Sequence, residues 1–304
     1  MFRIRIQNKK KCIWYCSAAV SFLLFLLLNL WCDHLVNMQD AQQMAGRWSE
    51  KKDVAQISCF FSSKAEVTED TIQSFEYSLK NVLQEASITE TSENPSARLW
   101  VDAYSADGKI TLVNGRNTLD ANAIGIGGDF FLFHPLKLIT GSYFSGNDLM
   151  QDYCIIDQDA AWQLFGSNDV VGMTVYIGNV PHIVTGVVRR PQGRMEKAAG
   201  LTSTVVYVSY ETLETYGTSN GINHYEIVMP NPVDEFAYGK VKEGIGIDEK
   251  NVEIVENSRR YSLPNRIKTI LAFGTRSMNG KAIIYPYWEN LARGYEDIIA
   301  LLTV

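Results

Sequence analysis

An α+β fold carried on an N-terminal transmembrane helix is what this sequence predicts, on three observations. Residues Cys12 to Cys32 form a run of 21 without a single charge, with "FLLFLLLNLW" as its apolar heart. The pattern strand, helix, strand then occurs twice, once within residues 53–121 and again within residues 211–275. Between the two lies a stretch, Asn122 to Tyr210, rich in β-branched residues and glycine. Two βαβ-type halves joined into one subdomain, with a mainly β subdomain inserted between them, account for that order.

The anchor comes first. A transmembrane helix needs about 20 predominantly apolar residues, and residues 12–32 supply them. Residues 1–11 carry Arg3, Arg5, Lys9, Lys10 and Lys11 with no acid to offset them. A basic N-terminal flank predicts that this end stays in the cytoplasm while the rest crosses. The alternative, a cleaved signal peptide, needs an apolar region of about 7–15 residues and a small-x-small cleavage site. Here Trp31, Cys32, Asp33 and His34 follow instead, which favours a retained anchor. The chain carries −6 overall and its first 32 residues +5, so residues 33–304 carry −11. An acidic exported portion is a poor ligand for nucleic acid, or for anionic lipid over its whole surface.

Beyond Cys32, apolar residues recur at Leu35, Met38, Ala41, Ala45 and Trp48, a helical spacing that predicts a stalk over residues 33–52. "VAQISCFFS" reads as a strand. In "VTEDTIQSFEYSLKNVLQEA", Thr68 is the expected N-cap, Val67 and Ile72 form a hydrophobic staple, and Ile72, Phe75, Leu79, Val82 and Ala86 line one face. "ARLWVDAY" follows as a strand, with Asp107-Gly108 expected to turn the chain into "KITLVN". In the inserted stretch, residues 122–210, "DYCIID" and "STVVYVSY" read as strands and "QDAAWQLFG" as a helix. "MTVYIGNVPHIVTGVV" reads as a hairpin turning at Gly178-Asn179. The second half repeats the first: strand "NHYEIVMP", helix "NPVDEFAYGKVKEG" with Pro232 near its first turn, strand "KNVEIVEN". Residues 276–304 return towards the membrane.

Little in this chain points to chemistry. "FGTRSMNGKA", Phe273 to Ala282, has five residues between its glycines and Ala282 after Lys281, so it lacks the spacing and the hydroxyl of a phosphate-binding loop. "AIGIGGDFF" places Phe130 where a dinucleotide site needs its third glycine. Asp157 and Asp159 form a D-x-D that could hold a metal, but their place before a helix points to capping. The four histidines show no paired-ligand spacing; His134 ends a short apolar helix and His182 is expected to face out of the hairpin. Outside the anchor only Cys59 and Cys154 remain, each in a strand-like run where a small buried thiol is the usual reading. No catalytic residue, cofactor site or metal site is expected.

Two features fit contact better than catalysis. Arg189, Arg190, Arg194 and Lys197 gather in one loop of an otherwise acidic region. They are either a solvated loop or a docking surface for an acidic partner. Tyr285, Tyr287, Trp288 and Tyr295 precede an apolar finish, as a membrane-interface belt would or as aromatics packed on the domain would.

The stretch "GGDFFLFHPLKLITGSYFSGNDLMQDYCIIDQDAAWQLFGSNDVVGMTVYIGNVPHIVTGVV" resembles the extracytoplasmic core domain of MacB-type ABC transporter permeases, in the wider FtsX-like group. The family pattern falls here at Gly141, Asp148, Ala161 to Gly166, Val171-Gly172, Gly178 and Gly186-Val187, and Ser142 stands where the family has Arg. The resemblance implies a Porter-like subdomain made of the two halves and a Sabre-like inserted subdomain. It implies a non-catalytic domain that passes movement between membrane helices and the outer face during export or extraction of a peptide, lipid or lipoprotein. The partners implied are an ABC-type ATPase subunit, a second permease chain, the lipid bilayer and an extracytoplasmic protein. It also implies three further membrane helices after this domain, and the final "DIIALLTV" reads as the approach to the next one. A single-pass binding or sensor protein on the same fold is the alternative.

Overall fold

A computed structural model of the chain describes residues 2–49, 53–89, 98–273 and 283–304, with side chains from Lys11 onward. Helix α1 (Phe2–Asn37) contains the uncharged run and is followed by the short α2 (Met44–Trp48). The first half comprises β1 (Val54–Phe61), α3 (Glu69–Glu85) and β2 (Val101–Asn114). Then come β3 (Asn117–Gly128), α4 (Phe130–Phe133), β4 (Leu138–Gly141), β5 (Tyr153–Asp157) and α5 (Gln158–Phe165). The hairpin strands are β6 (Thr174–Ile177) and β7 (Val180–Val188), followed by α6 (Arg194–Ala198), β8 (Val205–Ser209), α7 (Tyr210–Tyr216) and β9 (Thr218–Ser219). The second half is β10 (His224–Pro230), α8 (Phe236–Gly244) and β11 (Val252–Glu256), and the chain closes with α9 (Leu263–Leu271) and α10 (Tyr287–Thr303).

Most elements stand where the hydrophobic pattern puts them. Val67 and Ile72 are both buried at the start of α3, and the Thr68 amide donates to Thr71 Oγ1 at 3.4 Å. Asp157 caps α5, accepting from the Ala160 amide at 2.8 Å, and Gly178 and Asn179 both take positive φ in the hairpin turn, as a type I′ turn requires.

Four expectations are corrected. The chain does not turn at Asp107-Gly108: β2 runs straight through both, and its turn is Gly115-Arg116. Gly108 is there for room, since a Cβ would stand 2.3 Å from the Thr218 carbonyl oxygen of β9. The helical spacing after Cys32 does not give a continuous stalk; α1 stops at Asn37 and a single 3₁₀ turn, Asp40–Gln42, leads to α2. Pro232 lies before α8 rather than in its first turn. His182 faces inward, 1 % exposed, with Nε2 3.1 Å from Thr212 Oγ1 and Nδ1 3.0 Å from the Val180 carbonyl oxygen.

The two β-α-β units are not side by side but interleaved. Their strands pair in the order β11-β1-β10-β2. Each unit leaves a gap one strand wide, and a strand of the other unit fills it antiparallel. The resulting sheet is covered on both faces. Ala55, Ile57, Cys59, Tyr225, Ile227 and Met229 meet Phe75, Leu79 and Val241 of α3 and α8. The alternate positions point the other way, as the two-residue strand period demands, towards α2, α4 and α10. Strand β3 extends the sheet beyond β2, and the pairs β2–β3, β3–β8, β8–β5, β5–β7, β7–β6 and β6–β2 then close a ring of six strands. Val175, Val184, Val206 and Val208 are buried in the same core as Leu112. Strand β2 belongs to both the sheet and the ring; residue 121 falls inside β3 and residue 211 inside α7. Cys59 and Cys154 are both free thiols, fully buried, and burial pushes both thiols up, that of Cys154 to about 12.

Candidate functional site

The sheet face turned towards α10 is polar where a core is expected to be apolar. On β10, His224 and Glu226 point to this face, and on β1, Gln56 and Ser58 do the same; all four are at most 1 % exposed. Helix α10 brings Trp288 and Glu289 onto them, and α4 is followed by His134. A buried polar group without a partner costs several kcal/mol on the order-of-magnitude scale, so this face has to be satisfied internally.

Much of it is met by a chain of charged and polar contacts from the last helix into the sheet, while Trp288 Nε1 is left without a hydrogen-bond partner among the described residues. Arg260, after β11, holds Glu289 with two hydrogen bonds, 2.6 and 2.7 Å, and reaches Glu296 one turn and more further along α10 at 2.6 Å. Arg293 donates to Glu289 at 2.8 Å and to Glu253 at 3.0 Å, with its guanidinium 3.8 Å from the centre of the Tyr285 ring. Burial alone would raise the Glu289 carboxyl, but the charges and hydrogen bonds of Arg260 and Arg293 hold it below its ordinary value. Asn257 then accepts from Arg260 at 3.2 Å and donates to Ser58 Oγ at 2.6 Å, and Ser58 donates to Glu226 at 2.5 Å.

Glu226 is the far end of that chain. His134 Nε2 lies 2.8 Å from one of its oxygens and His224 Nε2 3.5 Å from the other. Trp288 covers both imidazoles, with ring centres 4.3 and 5.3 Å away. Burial alone would raise the Glu226 carboxyl; the two imidazoles bring it well below the usual carboxylate range instead. His134, His224 and Glu226 are also the group, among the described residues, whose ligand atoms could converge on a metal ion, all within 4.8 Å of one another. His224 Nδ1 lies 3.3 Å from Ser105 Oγ, a contact that would orient the ring for ligation. The guanidinium groups of Arg47 and Arg260 already act on Glu226. The sequence carried one signal for this site: Glu226 interrupts the apolar strand "HYEIVMP", and Glu289 lies on the apolar face of the last helix.

The residues singled out for contact are dispersed. Arg190 pairs with Asp157 at 2.7 Å and with Asp159, closing the start of α5. Both aspartates of the D-x-D motif are thereby engaged. Arg189, Arg194 and Lys197 remain exposed, the last two on α6. Trp288 is core rather than membrane interface, 4 % exposed. Tyr287 packs edge-on against it and Tyr285 against Phe60, while Tyr295 is half-buried on α10. The glycine-rich stretch Phe273 to Ala282 lies outside the described residues except for Phe273, and the candidate Lys281 with it.

A mixed-sheet domain behind an apolar N-terminal helix, with its last helix held by a buried ionic junction, is the class this architecture defines. A family model for the MacB-like periplasmic core domain matches residues 38–254, and the chain belongs to that family. A macrolide export ATP-binding/permease protein MacB of Pasteurella multocida is 32% identical over 81 residues, 26% of this chain and 12% of that protein. The MacB of Chromobacterium violaceum is 31% identical over 96 residues, 31% of this chain and 14% of that protein. The matched stretch is thus a small part of these curated relatives. Among solved structures, the periplasmic region of MacB from Actinobacillus actinomycetemcomitans is 19% identical, with 71% of this chain and 92% of that one covered at a TM-score of 0.43.

Proposed function

We propose that this chain is the membrane-anchored extracytoplasmic core of an ABC transporter permease. It passes movement between membrane helices and the outer face during export or extraction of a peptide, lipid or lipoprotein. Its own residues catalyse nothing. ATP hydrolysis belongs to a partner ATPase subunit, and a second permease chain completes the transporter. The N-terminus is cytoplasmic and the domain lies outside, with residues 53–121 and 211–275 forming a Porter-like part and residues 122–210 a Sabre-like one. Exposed Arg189, Arg194 and Lys197 offer an acidic extracytoplasmic protein a contact.

One observation carries the reading: the Arg260–Glu289 junction ties α10, which packs beside α1, to the segment that follows the edge strand β11. A buried bidentate ion pair is geometrically exacting, so a displacement of α10 is delivered to β11 and β1 rather than absorbed at the contact. The test uses the tagged full chain isolated from membranes. An ABC-type ATPase is expected to co-purify, and the double variant Arg260→Met with Glu289→Leu is expected to change its ATP hydrolysis several-fold at normal abundance of the chain. Unchanged hydrolysis would overturn the coupling role. Full cellular function without any ATPase would favour a single-pass binding protein instead.

A further inference from the structure

Helix α9 is amphipathic and none of its residues is buried. Leu263, Ile267 and Leu271, spaced four apart and so on one face, are 59, 48 and 83 % exposed. On the other side, Asn265, Lys268 and Thr269 border a cavity of about 750 Å³ closed by Tyr238, Ile254 and Glu296. An apolar stripe left open on a helix that packs against α10 only by its other side needs an occupant.

The position of α9 along α1 identifies that occupant. An α-helix rises about 1.5 Å per residue, so a run starting at Cys12 fills a hydrocarbon layer of about 30 Å at Cys32. Val36 of α1 shares a cleft with Tyr261 and Ser262, the residues that lead into α9. Tyr261 also donates a hydrogen bond to Gln39, and Arg266 donates to the Tyr261 carbonyl oxygen at 2.7 Å. The start of α9 therefore stands beside the residues of α1 that have just left the hydrocarbon, roughly 6 Å beyond Cys32 at the helical rise, within the zone about 5–10 Å deep that interfacial helices occupy. Arg266 and Lys268 fall near that boundary, where cationic side chains meet lipid phosphate.

We propose that α9 is an interfacial helix whose Leu263–Ile267–Leu271 face is inserted in the outer leaflet of the bilayer that α1 crosses. The inference rests on α1 being a membrane anchor. Helix α9 then holds the junction residue Arg260 at a fixed height above the lipid, since only Tyr261 and Ser262 separate the two.

The experiment places p-benzoylphenylalanine at Leu271, at Leu27 of α1 or at Tyr77 of α3 in the full chain, expressed in membranes, and identifies the photo-adducts by mass spectrometry. Phospholipid adducts are expected at Leu271 and at Leu27, and lost at Tyr77, which is exposed on the far helix. A Leu271 adduct to a second copy or to another protein, or none, with lipid still captured at Leu27, would overturn the interfacial helix. Lipid captured at neither position would overturn the anchor beneath it.

Discussion

Arg260 and Glu289 are 5 and 1 % exposed, and each is worth less alone than the pair. Removing one partner from a buried pair leaves an uncompensated charge, at a cost of about 3–5 kcal/mol. Glu289→Ala in the full chain should therefore lower stability to denaturant by that order. The double variant Arg260→Met with Glu289→Leu should recover most of it, because apolar residues of similar volume replace such pairs with little loss; a double variant no more stable than the single one would contradict this. Arg190 follows the same logic. Arg190→Ser leaves the buried Asp157 without its cation, for roughly 3 kcal/mol, whereas Arg189→Ser and Arg194→Ser on the exposed surface should stay within about 0.5 kcal/mol. Chemical denaturation of the three single variants separates them. A second carboxyl group sets a pH dependence. Burial, and then the neighbouring Asp102, raise Glu76 to about 8. Its folded value exceeds its unfolded one, so folding holds a proton that the unfolded chain releases, and the contribution is lost as pH rises. The melting temperature should fall between about pH 5 and about pH 8, and Glu76→Gln should flatten that slope.

At the scale of elements, two glycine positions show different constraints. Gly178→Val must place a branched side chain at φ +56° and meet Tyr216, 2.3 Å from the Cβ position. The left-handed conformation alone costs about 1–2 kcal/mol, and the β6–β7 hairpin should lose protection in amide exchange before the rest of the ring does. Gly108 is different: its constraint is the neighbouring β9 backbone, which a sequence window around "SADGK" cannot contain. A glycine after an aspartate reads as a turn because most turns are built that way. Here, pairing along the whole of β2 with β3 outweighs the local preference. The stretch after Cys32 fails for a related reason. Its helical spacing is real, but Gln56 receives the Met44 amide at 2.9 Å and donates to the Ala41 carbonyl oxygen at 2.7 Å. Those contacts with β1 dock α2 against the sheet and break the stalk.

At the scale of the whole molecule, the anchor orientation is open to direct measurement. A protease site inserted at Gln192 should be cut from outside intact cells, and the mature protein should begin at or near Met1. A processed N-terminus near residue 33 would contradict a retained anchor. The anchor, the two strand-helix-strand units and the hairpin at Gly178-Asn179 were legible because each is written in local periodicity, length and turn chemistry. That legibility stops where partners are distant in sequence. Interleaving of the two units depends on β10 pairing with β1 across some 170 residues, as Ser58 and Glu226 do, and no local pattern encodes which gap a strand fills. The ionic junction was missed for the same reason: Arg260 and Glu289 lie 29 residues apart and no local pattern links them, and Trp288 read as a candidate for the membrane. Sequence by itself determined that an apolar N-terminal helix precedes an α+β domain of a recognisable family. Only the tertiary structure decided that four histidine, glutamate and arginine side chains, His134, His224, Glu226 and Arg260, share one buried face. Burial removes water as a partner, and what replaces it is settled by packing between elements.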